Sequence, residues 1–105
     1  MTGPARSSDA PDEHSVPVTH EVKIVNKKGL HARASAKFVQ TAEQFNAAII
    51  VTRGNETVGG TSIMGLMMLA AATGTTITIQ ATGKQAKPAL DALVALVENR
   101  FGEEE

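Results

Sequence analysis

Apolar residues along this chain alternate with polar residues in some segments and recur at helical spacing in others. Val22 and Ile24 flank a polar residue, a period of two that is typical of a strand with one buried face. A later segment has the spacing of an amphipathic helix, and its apolar stripe is predicted to be core: Leu90, Leu93, Val94, Val97 and Phe101. Along the whole chain the pattern predicts strands over 21–25, 47–53, 56–59 and 75–81, and helices over 32–44, over 62–72 and from Gly83 to Phe101.

The order of these elements is β-α-β-β-α-β-α, and short turns separate them. Gly54-Asn55 is a two-residue hairpin signal between the second and third strands. Since each strand is apolar mainly at alternate positions, one face of the sheet is expected to be covered and the other exposed. The sequence therefore predicts an α/β two-layer sandwich, with a four-stranded, largely antiparallel sheet and three helices on one face.

Both ends of the chain lack the apolar pattern. Residues 1–19 are rich in Pro, Ser, Asp and Gly and predict a disordered N-terminal tail, and residues 103–105 predict a solvated acidic tail. A single folded domain over 20–102 remains. His14 and His20 have no apolar context and no spaced partner, so they are interpreted as ordinary solvated side chains.

The composition of the chain mainly excludes certain classes of partner and of functional site. The 105 residues carry a formal net charge of -1, so no basic field indicates a nucleic-acid partner. The chain has no Cys, which excludes disulfides and thiolate metal sites, and neither a metal nor a cofactor is predicted. No apolar run reaches the roughly 18 residues of a membrane span, and no signal peptide is visible. We therefore expect a cytoplasmic protein without a membrane partner, and a monomer.

The segment around His31 carries the candidate chemistry. Gly29 permits a tight strand-to-helix turn, and the helix that follows presents free backbone N–H groups and the positive end of its dipole. Arg33 lies in the first turn, where a cation is disfavoured by roughly 0.3–1 kcal/mol and where an anion would resolve the conflict. The same field favours a neutral, nucleophilic His31, which would suit a phosphoryl acceptor. The alternative is that His31 only caps the helix and Arg33 is a solvated surface charge.

The second predicted helix, over 62–72, has no charged residue and is apolar on every side. Because a domain of this size can hardly cover such a helix all round, part of it is expected to contact a partner. Met64, Met67 and Met68 are predicted to include an exposed docking face, since Met suits adaptable interfaces. Leu66 and Leu69 are predicted to fill the core.

Two motifs on this element order resemble the HPr family of phosphocarrier proteins. One is Gly29-Leu30-His31-Ala32-Arg33 followed by an apolar helix, and the other is Ser62-Ile63-Met64-Gly65-Leu66-Met67. The resemblance covers residues 19–101, which is the whole predicted folded part. It implies a four-stranded antiparallel sheet with three helices on one face.

The resemblance also implies a phosphoryl relay. His31 would be phosphorylated on a ring nitrogen by enzyme I, with phosphoenolpyruvate as the ultimate donor, and would pass the group to an enzyme IIA-type protein. Arg33 and Ala32 would bind the phosphoryl group, and Ser62 matches the serine that HPr kinase/phosphorylase modifies in regulated members. The expected docking residues are Leu30, Ala36, Ile63, Met64, Met67 and Met68.

The sequence departs from the family pattern at two places. Ala34 stands where the family usually has proline, which leaves one more backbone N–H as a possible phosphate donor. The N-terminal tail is the second departure. Ala34 and the Lys27-Lys28 pair are features in which the sequence resembles the branch of regulatory, nitrogen-type carriers. The predicted function is therefore a phosphocarrier in a regulatory relay rather than a stand-alone enzyme. The alternative is a regulatory docking module that acts through the Met-rich helix.

Overall fold

The structure, a computed structural model, describes residues 16–105. Most of the predicted N-terminal tail, His14 included, lies outside these residues. The elements are β1 (Val18–Lys23), α1 (Ala32–Ala42), β2 (Ala48–Arg53), β3 (Glu56–Gly59), α2 (Ile63–Met68), β4 (Thr76–Thr82) and α3 (Ala86–Glu98), followed by a 3-10 turn (Arg100–Gly102). Their order is the predicted one. None of the described helices is long and apolar enough to cross a bilayer.

The four strands form one antiparallel sheet in the order β1-β4-β2-β3. Strand β4 is central because it pairs Ile77 with Val22 of β1 and Ile79 with Val51 of β2. The hairpin predicted at Gly54 is present, since Arg53 faces Glu56 across it. The predicted fold class, an α/β two-layer sandwich with a four-stranded antiparallel sheet and three helices, is confirmed.

A single apolar core lies between the sheet and the helices. The strands contribute their alternate residues to it, and each helix contributes one face. Leu66 and Leu69 are fully buried, as predicted, and so are most residues of the α3 stripe; Val94 is only partly buried. The largest fully buried side chains are Phe38, Phe101, Ile24, Leu66, Leu69, Ile77, Ile79 and Leu93.

The turn before α1 lies directly against the segment that follows α2. Gly29 has φ +69°, and a Cβ on it would collide with the carbonyl oxygen of Ala71. That same oxygen accepts a hydrogen bond of 3.0 Å from the N–H of Leu30. The start of α1 is therefore fixed by a contact with a distant part of the chain.

Helix α2 is shorter than predicted. It ends at Met68 instead of continuing to residue 72, and Ala70 has φ +52°. Two contacts outside the helix use the carbonyl groups of this region. Arg53 Nη1 donates a hydrogen bond to the carbonyl oxygen of Leu69 at 3.2 Å, and the N–H of Leu30 donates one to the carbonyl oxygen of Ala71. The left-handed backbone at Ala70 breaks the helix before its last predicted turn, and the carbonyl groups beside the break accept these tertiary hydrogen bonds.

Helix α3 is also shorter than predicted, because it ends at Glu98 and not at Phe101. Arg100, Phe101 and Gly102 then have φ of 57°, 55° and 79°, so the chain reverses in the left-handed region. The reversal buries the ring of Phe101 completely. Lys37 Nζ donates to the Phe101 oxygen at 2.7 Å and holds the turn against α1.

The first strand begins earlier than predicted. Val18 pairs with Ala81 and Thr19 with Gln80, so β1 starts within the segment assigned to the N-terminal tail. The pattern did not reveal this start because His20 is polar, although it lies between Val18 and Val22 on the face of the strand that packs on the core. His20, in the same strand, is exposed as predicted.

Candidate functional site

His31 is the N-cap residue of α1, but its side chain does not cap the helix. Its backbone is extended, with φ −76° and ψ −178°, and no hydrogen bond joins the ring to the first helical turn. Backbone hydrogen bonds hold this residue: the N–H of His31 donates to the carbonyl oxygen of Gly29 at 2.9 Å, and the His31 carbonyl oxygen accepts from the N–H of Ser35 at 2.8 Å. The alternative in which His31 serves only as a cap is thus not supported.

The ring of His31 contacts the C-terminal segment instead. Its Nε2 lies 2.5 Å from Oε2 of Glu103, and the two side chains are 27% and 19% exposed. The prediction of a solvated acidic tail is therefore wrong for Glu103, because the reversal at Phe101 turns this residue back onto α1. Glu104 and Glu105 are exposed, as predicted. With Nε2 engaged, Nδ1 is the ring nitrogen that remains.

A buried asparagine holds Glu103 from the other side. Asn26 is fully buried, and its Nδ2 donates to Oε1 of Glu103 at 3.0 Å and to the carbonyl of Gly29 at 2.9 Å. Partial burial raises the pKa of Glu103, but the hydrogen bonds from Asn26 and His31, the charge of the His31 ring when it is protonated and the charge of Lys28 outweigh it. The net effect lowers the pKa from its ordinary 4.5. Glu103 is a carboxylate at neutral pH, so it accepts hydrogen bonds and donates none.

An open cavity of about 570 Å³ lies beside these groups. Its lining combines cations, carboxylates and the first turn of α1: Lys27, Lys28, His31, Ala32, Arg33, Glu103, Glu104 and Glu105. The first turn contains no acidic residue, and Arg33 is exposed. The structure thus brings together the two residues expected to bind a phosphoryl group, Ala32 and Arg33, with the candidate acceptor.

Ser62 and the apolar residues of α2 lie on a neighbouring surface. Ser62 is the exposed N-cap of α2, and its Oγ accepts from the N–H of Gly65 at 2.9 Å. Four side chains of the helix are exposed: Ile63 by 40%, Met64 by 68%, Met67 by 38% and Met68 by 73%. Helices α1 and α2 pack against each other, and residues 70–72 line a shallow depression together with His31.

The other two expected docking residues differ from these four. Ala36 on α1 is half-buried, whereas Leu30 is only 5% exposed and belongs to the core. Little of the Leu30 side chain is therefore available for docking, although the residue borders the depression beside His31; its backbone N–H fixes the turn against Ala71.

Asn26 and Glu103 are site residues that the sequence pattern did not indicate. Glu103 is 72 positions away from His31, in a run of three glutamates that has the composition of a solvated tail. Asn26 precedes two lysines in a turn, where asparagine is common for local reasons. The predicted burial of Phe101 as part of the α3 stripe did not indicate the reversal that places Glu103 beside His31.

Comparisons with known proteins identify the family to which this chain belongs. A family model described as the PTS HPr component phosphorylation site matches residues 18–99. The phosphocarrier protein HPr of Neisseria meningitidis is 52% identical over 84 residues, which is 80% of this chain and 94% of the relative. The phosphocarrier protein NPr of Shewanella violacea is 43% identical over 79% of this chain and 91% of its own length. The NPr name supports the expected resemblance to the nitrogen-type branch.

Solved structures give the same result. The HPr-C-His structure from Thermoanaerobacter tengcongensis has a TM-score of 0.80 at 43% identity and covers 84% of this chain and 99% of that one. A phosphocarrier protein HPr from Bacillus anthracis has a TM-score of 0.76 at 44% identity, over 79% of this chain and 99% of its own. Sequence and fold agree, and the chain belongs to the HPr family of phosphocarrier proteins of the phosphotransferase system.

Proposed function

We propose that His31 accepts a phosphoryl group from enzyme I, with phosphoenolpyruvate as the ultimate donor, and passes it to an enzyme IIA-type protein. The observation that carries this proposal is the position of the His31 ring, beside the first turn of α1 and with Nε2 engaged by Glu103. Nδ1 is then the nitrogen with a free lone pair, and it is the atom that we assign as the acceptor. The relay is cytoplasmic and regulatory, and the carrier acts as a monomer.

The surroundings of His31 suit a phosphoryl group. The first N–H groups of α1 have no acceptor within the helix and lie at the positive end of its dipole. Ala32 and Arg33 supply N–H groups there, and the guanidinium of Arg33 adds a charged donor in the same cavity. A phosphoryl dianion on Nδ1 would therefore be stabilised by groups that α1 already presents.

The first prediction concerns the acceptor. His31→Ala is expected to abolish phosphorylation by enzyme I and phosphoenolpyruvate, measured by intact mass, because no other imidazole among the described residues lines this cavity. The adduct on the parent protein should be acid-labile and alkali-stable, as a phosphoramidate is. His20→Ala is the matched control, since His20 is exposed on β1, and it should be phosphorylated like the parent. Phosphorylation that persists in His31→Ala would refute the assignment.

Arg33 is the exposed cation that we assign to the transferring group. A positive charge in the first turn of α1 is unfavourable for the helix by itself, and the first turn has no acid to offset it. The guanidinium makes no ion pair among the described residues, so it can turn toward an incoming phosphoryl group. It is expected to stabilise the transition state more than the free protein.

The second prediction follows from this role. Arg33→Ala is expected to slow phosphoryl transfer from enzyme I by at least about tenfold, which corresponds to about 1.4 kcal/mol of activation free energy. Thermal stability should change little or rise slightly, because a cation leaves the positive end of the helix. Arg33→Lys keeps the charge but loses the bidentate fork, so its rate should lie between the two. Equal rates for Arg33→Ala and the parent would contradict the proposal.

We assign the partner-docking surface to the exposed side chains of α2, namely Ile63, Met64, Met67 and Met68. They form an apolar patch with no charged residue in the helix, and the segment after it borders the same depression as His31. This exposure also supports the second candidate function, a docking module. In that case partners would bind through α2 whether or not His31 is phosphorylated.

The third prediction tests this surface. Met64→Asp and Met68→Asp are expected to raise the KM for enzyme I at least about tenfold, because each places a charge in an apolar contact. Both proteins should still unfold cooperatively, since these side chains are mostly exposed. Val16→Asp is the control, because Val16 is 49% exposed but precedes β1. A KM unchanged in both α2 variants would exclude this surface.

Ser62 is proposed as a regulatory phosphorylation site for HPr kinase/phosphorylase. Its hydroxyl is exposed at the start of α2, so a kinase can reach it. A phosphate there would place about two negative charges beside Ile63 and Met64, on the surface that enzyme I is proposed to cover. The structural role of Ser62 as an N-cap is separate and must be distinguished from this one.

The fourth prediction separates the two roles. Ser62→Ala loses the hydrogen bond to Gly65 and is expected to cost about 0.5–2 kcal/mol of stability, with a normal rate of transfer. Ser62→Asp can still cap the helix, so its Tm should stay near the parent's while its charge slows phosphorylation of His31. If Ser62→Asp accepts the phosphoryl group as quickly as the parent, Ser62 is a cap only.

A further inference from the structure

The side chains of Asn26, Glu103 and His31 form one hydrogen-bonded chain, in which Glu103 comes from a distant part of the sequence. Asn26 donates to one carboxylate oxygen of Glu103, and the other oxygen lies against Nε2 of His31. We propose that Glu103, held by Asn26, is a positioning residue that fixes His31 in the Nε2–H tautomer and balances the charge of the ring during transfer. This proposal deepens the one above and depends on His31 being the phosphoryl acceptor.

The tautomer follows from the chemistry of the contact. A neutral imidazole carries its proton on either nitrogen, and the nitrogen without it has the nucleophilic lone pair. A carboxylate can only accept a hydrogen bond, so the nitrogen that faces it must carry the proton. Since Nε2 faces Glu103, the lone pair is kept on Nδ1. Without the carboxylate, part of the population would hold its proton on Nδ1 and could not attack phosphorus.

The charge of the ring changes during the reaction, and Glu103 lies where it can respond. The lone pair of Nδ1 forms the new bond to phosphorus, while the bond from phosphorus to the donor breaks and its electron pair leaves with the donor. The product ring has phosphorus on Nδ1 and hydrogen on Nε2, so it is formally an imidazolium. The negative Glu103 stabilises this cation, and the onward transfer restores the neutral Nε2–H ring.

Asn26 sets the position of the carboxylate. Its Nδ2 donates to two acceptors, Glu103 and the carbonyl of Gly29, two residues before His31. Reversing the amide would place its oxygen against both acceptors, so the orientation is determined by these contacts. The buried Oδ1 has no hydrogen-bond partner among the described residues. An unpaired buried oxygen is costly, which indicates that the two bonds made by Nδ2 are worth keeping.

The backbone brings Glu103 to this place and leaves its neighbours outside it. The buried Phe101 anchors the turn, and the left-handed residues 100–102 direct the chain back toward α1. Glu104 borders the same cavity but is exposed and makes no hydrogen bond or ion pair within the described chain. It therefore provides a control with the same charge, one position away.

The fifth prediction compares Glu103→Ala with Glu104→Ala in the full-length protein. Nitrogen-15 NMR of the His31 ring, at about pH 8.5 where an ordinary histidine is neutral, measures the tautomer populations. The parent and Glu104→Ala should be predominantly the Nε2–H form, and Glu103→Ala should be a mixture. Transfer from phosphorylated enzyme I should be at least about tenfold slower in maximal rate for Glu103→Ala, with its KM unchanged.

Two results would overturn the positioning role. One is the same tautomer distribution in Glu103→Ala and the parent, and the other is faster transfer in Glu103→Ala, which would mean that the carboxylate competes with the phosphoryl group for the site. Failure of the carrier proposal looks different. In that case the parent would not gain mass with enzyme I and phosphoenolpyruvate, whatever the tautomer of its ring.

Discussion

The site depends first on the close approach of two backbone segments. The turn at Gly29 and Leu30 lies directly against the carbonyl of Ala71, with no room for a Cβ on Gly29. This contact fixes where α1 begins and therefore where the His31 ring stands. Helix α2 ends just before this contact, at Met68, because Ala70 has a left-handed backbone with φ +52°. The turn that carries His31 and the segment that follows α2 are thus held against each other by this contact.

The second requirement is a reversal of the chain after α3 that the local sequence disfavours. Arg100 and Phe101 have left-handed backbones, each of which costs on the order of 1–3 kcal/mol for a residue other than glycine. Complete burial of the Phe101 ring stabilises the fold by about 1.5–3 kcal/mol, which offsets part of this cost. The hydrogen bond from Lys37 to Phe101 adds to this stabilisation. The consequence for function is that Glu103 reaches His31.

The site brings opposite charges together. One cavity is lined by three cations, Lys27, Lys28 and Arg33, and by the three final glutamates. The electrostatic field at this cavity is therefore the sum of opposing positive and negative contributions. Only Glu103 is partly buried and hydrogen-bonded to the ring. Its neighbours are exposed, and the salt bridge of 3.4 Å between Lys27 and Glu105 is screened by solvent. The contact of Glu103 with His31 therefore has a larger expected effect than the total charge of the tail.

The sequence alone determined the element order, the Gly54 hairpin, the position of His31 at the start of α1 and Ser62 as a helix cap. These features depend on apolar periodicity and on turn and cap residues, which act over a few neighbouring positions. Tertiary structure decided the ends of α2 and α3, the burial of Leu30 and the union of Asn26 and Glu103 with His31. Those outcomes depend on contacts between residues as far as 72 to 77 positions apart, which no local pattern encodes. A glutamate in an acidic run is solvated by default, and only the folding of Phe101 into the core makes Glu103 part of the site.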